Sequence, residues 1–378
     1  MKIHKQHFVN NKWEAGSTDL NQAKCQLVLV FGSPELIVDP TIFDHLKSSY
    51  PNAAIVLSST AGEIINESVF DDSVVATAIE FEKTQVKSLS VNISDFDSSY
   101  EAGIFLKKQL DAADLSGVFI ISDGTLVDGA DLVKGLAENN TKNIPITGGL
   151  AGDAVRFQKT FTGLNEIPSQ GNIIAVGFYG SHIFIGHGSL GGWDEFGFER
   201  VITRSQNNIL HEIDGDNALG LYKKYLGTFA DELPGSALLF PLSMAVSGSD
   251  KRIIRTILAV NEEDKSMVFA GSVPQDSKVK LMRGNLDRLV EASATAAQDS
   301  LTRLGNLKPD LTLLISCVGR KIILNKKVIE EVEVAREVIG EDSCITGFYS
   351  YGGISPLDNT TPCELHNQTM TITTFAED

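Results

Sequence analysis

The side chains with the most chemistry to offer gather between residues 347 and 370. Gly347-Phe348-Tyr349-Ser350-Tyr351-Gly352-Gly353-Ile354 sets two phenols beside three glycines, which implies a sharply bent backbone with hydroxyls next to it. His366-Asn367-Gln368-Thr369 then stands just ahead of Met370 and Ile372, whose alternation announces a strand. An imidazole and two carboxamides at a strand entrance are costly unless a ligand, or each other, satisfies them. They read as the rim of a pocket, and Tyr349, Tyr351, Gly352, His366 and Asn367 are its candidate ligand contacts. The competing reading is a hydrogen-bond network that fixes the loop.

A thiol lies upstream, in Ser316-Cys317-Val318-Gly319-Arg320. Cys317 near the Arg320 guanidinium could have a lowered pKa, and with His366 it would form the minimal dyad of a thiol-dependent enzyme. The alternative for Cys317 is a small buried hydrophobe. Two imidazoles are candidate metal or haem ligands, His366 and His187. His187 shares a strand face with Ile183 and Ile185, whereas His182, an odd number of residues away, points to the other side. No Cys-x-x-Cys-His sequence occurs, so any haem would be bound non-covalently.

Two glycine-containing turns complete the set. Ser59-Thr60-Ala61-Gly62-Glu63-Ile64 and Gly148-Gly149-Leu150-Ala151-Gly152-Asp153 each follow an apolar run. Neither is a G-x-G-x-x-G or G-x-x-x-x-G-K-[ST] phosphate loop, and Asp153 opposes an anion. Thr60, Gly62, Glu63, Gly149 and Asp153 join Cys317 and Arg320 as candidate ligand contacts, while Asp123 and Asp128 read as turn and helix-cap residues.

The elements that must position these residues alternate strand and helix. Residues 27–32 form an uninterrupted apolar run closed by glycine, 41–49 a helix, and 55–57 a second strand. Residues 117–121 and 144–146 are strands about a helix at 131–139; 172–179 and 182–188 read as a hairpin turning at Gly180-Ser181. A helix with Leu219, Tyr222 and Leu226 on one face is capped by Asp214 or Asp216 and stops at Gly227, and 283–304 is a longer helix. Residues 311–317, a helix at 327–339 and 344–346 echo the unit at 27–64, which suggests similar strand–helix–strand units at both ends of the chain.

Composition supports a packed, intracellular protein. Of 378 residues, 42% are hydrophobic and 21% charged, enough for a substantial core or two. The formal net charge of −17 argues against a nucleic-acid backbone or an anionic membrane as partner. The first residues lack the apolar core of a signal peptide, no run reaches the ~20 residues of a membrane span, and the four cysteines are scattered. A cytoplasmic location is expected.

The ordered set of Ser59–Ile64, Asp123-Gly124, Gly148–Asp153 and Gly191-Gly192-Trp193 resembles the N-terminal FIST domain and the start of its partner. Asp214-Gly215, Phe240-Pro241-Leu242, Gly271–Pro274, Ser316–Arg320, Gly347–Ile354 and His366–Thr369 resemble the C-terminal FIST domain. One departure is Gly353, where that pattern more often has glutamate. The resemblance implies an α/β protein, with mixed α+β the variant, of two FIST-type domains, 20–190 and 191–375, built from layered β-sheets with flanking helices. It further implies a ligand-binding sensor of signal transduction, not an enzyme. In its most concrete form this is a haem-bound nitric oxide sensor acting on a separately encoded histidine kinase or cyclic-di-GMP enzyme, as in a two-component system. A sensor of an amino acid or other small metabolite is the alternative. The strand-end loops are expected to converge on one cleft, where ligands of open α/β sheets sit.

Overall fold

Leu27–Gly32 is buried at every residue, as a strand covered on both faces must be, and its apolar run needs no alternation. The computed structural model describes residues 1–16, 18–138, 140–246, 251–358 and 361–378. In it Leu27–Gly32 runs parallel to Ala54–Ser59, with helix Pro40–Ser49 between them in the chain. That helix has Asp39 as N-cap and Pro40 at its first position, the two signals that start a helix.

The same unit occurs twice more. Leu115–Ser122 lies parallel to Ile146–Leu150 about helix Gly129–Ala137, and Leu311–Cys317 lies parallel to Cys344–Ser350 about helix Val328–Ile339. The echo between the two ends of the chain is therefore real, and a middle copy joins it. In each repeat a later strand returns antiparallel beside the first one: Val74–Glu80, Asn172–Tyr179 and Met370–Glu377. A strand preceding the unit then pairs beyond it: Lys2–Val9, Gln85–Asn92 and Ile183–Leu190.

The remaining strand of each repeat is lent to another sheet. Glu63–Ile65 of the first repeat pairs with Cys344–Ser350 of the third. Gly352–Pro356 of the third pairs with Ile146–Leu150 of the second, and Thr162–Leu164 of the second pairs with Ala54–Ser59 of the first. Three six-stranded sheets are thus closed into a ring of exchanged strands. Phe31, Phe119, Ile315 and Phe348 fill the core between them, one or more from each repeat, and Phe31 stacks on Phe348 with centroids 4.5 Å apart. Full burial of each such side chain stabilises the fold by about 1.5–3 kcal/mol.

A fourth sheet is inserted between Ile183–Leu190 and Leu311–Cys317. Its path begins at Arg252–Arg255 and ends at Ile257–Val260, which only Thr256 separates in the chain, so the sheet curls back on itself. It encloses its own core of Leu210, Tyr222, Leu242 and Phe269.

Three local expectations are corrected. Residues 172–179 and 182–188 are not a hairpin: Asn172–Tyr179 already has a neighbour on each edge, and Ile183–Leu190 joins Met370–Glu377 in another sheet. Helix Ala218–Leu226 is capped by Asn217, whose Oδ1 accepts from Gly220 N at 2.7 Å, because Asp214 is engaged with Arg200 and Val201 N. The long helix is Leu286–Leu304, since Arg283 still ends a strand and Asn285 supplies the cap. Helix Gly129–Ala137 starts at the Asp128 cap; residue 139, placed at its end from sequence, lies outside the described residues. Among the described residues no helix is long and apolar enough to cross a membrane.

Candidate functional site

The exchange of strands brings the predicted turns together. Ala61 N donates to Tyr349 O (2.8 Å), Gly152 N to Ser59 O (3.0 Å) and Tyr351 N to Leu150 O (3.3 Å), a cycle that links all three repeats at the strand ends. Cys317 N donates to Thr369 O at 3.1 Å, so the 366–369 segment joins the same region.

Convergence leaves a cavity of about 530 Å³ on one side of this junction. Ser33, Glu35, Thr60, Gly62, Glu63 and Asp71 line it from the first repeat, Ala154–Arg156 from the second, and Lys321 and Asn325 from the third. Thr60 Oγ1 donates to Glu63 Oε1 at 2.6 Å and Ser73 Oγ to Oε2 at 2.8 Å. Burial pushes the Glu63 carboxyl up to about 7, against those two hydrogen bonds and the nearby Lys321 charge. Lys321 Nζ donates to Ala61 O (2.8 Å), pairs with Asp71, and sits 5.3 Å from the Tyr349 ring centroid. Gly62 makes that reach possible: its φ is +133°, and a Cβ there would stand 2.2 Å from Nζ. Arg156 pairs with Glu35 at the mouth, and Ser33 Oγ is buried without a protein partner.

Glu63 titrates in a measurable window. Its folded pKa lies above the ordinary 4.5, so the stabilisation from keeping it protonated is complete below 4.5 and is lost as pH rises through about 7. Glu63→Gln is expected to flatten that dependence, leaving the variant more stable than the parent at pH 8 by about 3 kcal/mol. Urea denaturation of both proteins from pH 4 to 8 reads the difference, and parallel curves would refute the assignment.

The other sequence candidates stand behind this cavity or elsewhere. Asp153 accepts from Phe157 N (2.8 Å), Gln158 N (2.9 Å) and Lys159 N (2.7 Å), and its carboxylate also meets the Tyr351 hydroxyl. Arg320 and Tyr349 both bond Glu331 in the interior. Gly149 and Gly352 are packed in the sheet formed with the lent strand. Gly353 pairs with Gly149, and a Cβ on it would meet Thr371 Oγ1 at 2.4 Å, which explains why no glutamate stands there.

His366, Asn367 and Gln368 are sealed inside and do not form a rim. The cause is the pairing of Cys363–His366 with Gly352–Pro356, which turns them inward. Burial drives His366 down to about 4, with Nε2 2.8 Å from Ser355 O, while both amide atoms of Asn367 lack a protein partner. Burial also raises the Cys317 thiol, and Arg320 spends its charge on Glu331, so the lowered pKa expected of Cys317 is corrected.

A haem does not fit the imidazoles as they stand. His187 is buried with Nδ1 unpartnered, which leaves that nitrogen free to ligate. Its cavity of about 360 Å³, however, has a mixed lining, in which Asn140, Asn143, Arg303 and Asp358 interrupt the apolar surface of Ile144, Pro145, Ile185 and Pro362 that a macrocycle would need. His366 lines none of the cavities described here.

Sequence reasoning missed Ser33, Arg156 and Lys321. Lys321 follows Arg320 on helix Val318–Leu324, one residue turned to the buried Glu331 and the next to the cavity. Ser33 follows the first strand of its repeat, as Asp123 follows that of the second, a correspondence visible only once the repeats are aligned.

The model of the FIST N domain matches residues 26–216, and that of the FIST C domain matches residues 218–356. No curated protein matches the chain. Among solved structures, a cyanuric acid hydrolase from A. caulinodans is 8% identical over 78% of this chain and 99% of its own, with a TM-score of 0.18.

Proposed function

Because the chain belongs to the FIST family, whose domains are small-ligand sensors of signal transduction, we propose that it senses an amino acid or a similar small zwitterionic metabolite. The observation that carries this reading is the cavity of about 530 Å³ where turns of all three repeats meet. Its size falls within the range of small-molecule sites. Lys321 and Arg156 offer cations to a carboxylate, Glu63 and Asp71 offer acceptors to an ammonium, and Ser33 Oγ offers an unspent hydrogen bond. A ligand there touches every repeat at once, so occupancy alters how the strand-end loops rest on one another. That shift is passed to a separate signalling protein, such as a histidine kinase.

A thermal-shift panel of the common amino acids tests the reading. At least one is expected to raise the melting temperature, and calorimetry with that amino acid should show a loss of tenfold or more in Lys321→Ala. A panel with no shift, or an affinity indifferent to Lys321, would defeat it.

A further inference from the structure

A second cavity, of about 440 Å³, lies on the other side of the loop 154–157. Gly124–Gly129, Leu150, Phe157 and Tyr351 wall it from the ring of repeats, and Asn208, Leu258 and Phe269–Gly271 from the inserted sheet. Three of its lining side chains are large apolar groups left exposed: Leu126 at 54%, Leu258 at 44% and Phe157 at 44%. They come from three separate elements, and an occupant between them would remove all three from water. Phe157 and Tyr351 are already stacked, with centroids 4.6 Å apart and planes 17° off parallel, so a flat surface is on offer. Phe157 is held at φ +53°, a conformation unfavourable for a bulky residue, by hydrogen bonds from its N–H to Asp153 and Tyr351. Strain of that kind collects at ligand clamps.

The charges beside this cavity oppose one another. Asp128 lines it, with its carboxylate spent on Ala130 N and Asp131 N. The buried Arg255 guanidinium lies directly behind Gly271, where a Cβ would stand 3.3 Å from Arg255 Cζ. Neither an anion nor a cation is favoured, while Thr125 and Asn208 supply polar edges.

We propose that this cavity is a second ligand site, taking a neutral planar aromatic or heteroaromatic molecule that stacks on Phe157 and bridges the repeats to the inserted sheet. Its lining residues are distinct from those of the zwitterion site.

Benzamide is the probe, with cyclohexanecarboxamide as its puckered, equally neutral match. Calorimetry on the full chain should show saturable benzamide binding at least tenfold tighter than that of cyclohexanecarboxamide. Leu126→Trp, which fills the cavity from an exposed turn, should abolish it, and Leu258→Asp should weaken it tenfold or more. Lys321→Ala should leave it unchanged. Benzamide binding that is absent, is matched by cyclohexanecarboxamide, survives in both cavity variants, or is lost with Lys321 would overturn the proposal.

Discussion

Arg320→Ala is expected to lower the free energy of unfolding by about 3–5 kcal/mol, because it strands a carboxylate in the interior. Arg320 and Glu331 are both fully buried, with Nε and Nη2 of Arg320 at 3.0 and 2.9 Å from Glu331 Oε2. The guanidinium also donates to Gly191 O (2.7 Å) and Leu289 O (2.6 Å), tying the third repeat to the long helix and to the lead-in to the inserted sheet. Glu331 Oε1 accepts from Ser316 Oγ (3.0 Å) and the Tyr349 hydroxyl (2.8 Å). Removing the cation leaves that carboxylate to two neutral donors, a severe loss in low dielectric. Arg320→Met with Glu331→Leu should be milder than either single change, since a buried pair replaced as a unit leaves no uncompensated charge. Chemical denaturation measures all four variants, and a loss under 1 kcal/mol for Arg320→Ala would show that the pair is dispensable.

The second large effect concerns chain continuity. Fragments 1–190 and 191–378, expressed apart, are each expected to lack a cooperative unfolding transition. Without the second fragment, Glu63–Ile65 loses Cys344–Ser350, Ile146–Leu150 loses Gly352–Pro356, and Ile183–Leu190 loses Met370–Glu377. The edges so exposed are apolar and unpaired, which favours aggregation over folding. Co-expression should restore a soluble complex. Circular dichroism and gel filtration decide the matter: a monomeric first fragment with a sharp melting transition would contradict the expectation.

The fold was legible where a segment's own pattern decides its state. The apolar run 27–32, the Asp128 cap and the Gly227 stop belong to that class. The middle unit was read as strand, helix and strand, but its likeness to the end units was missed because its second strand, Ile146-Thr147-Gly148-Gly149-Leu150, is poorer in apolar residues than Ala54–Ser59. Pairing between distant strands was illegible too. Nothing local tells Ile183–Leu190 to leave Asn172–Tyr179 for a strand at the far end of the chain.

The site divides along the same line. Thr60, Gly62 and Glu63 were found because a turn after a buried strand announces itself. His366 and Asn367 were read as a rim because polar groups at a strand entrance look alike whether they meet a ligand or the interior. The choice between the two is made by the neighbouring strand Gly352–Pro356, a tertiary fact. Lys321 went unnoticed because its target, the carbonyl of Ala61, is brought to it only by strand exchange.

The loop from Ala154 to Phe157 faces both hollows, with Ala154, Val155 and Arg156 turned to one and Phe157 to the other. Thermodynamics makes such a partition symmetric: whatever factor one guest imposes on the second guest's affinity is returned unchanged in the opposite direction. Any shift of this loop that a guest at one face imposed would therefore be felt to the same extent at the other.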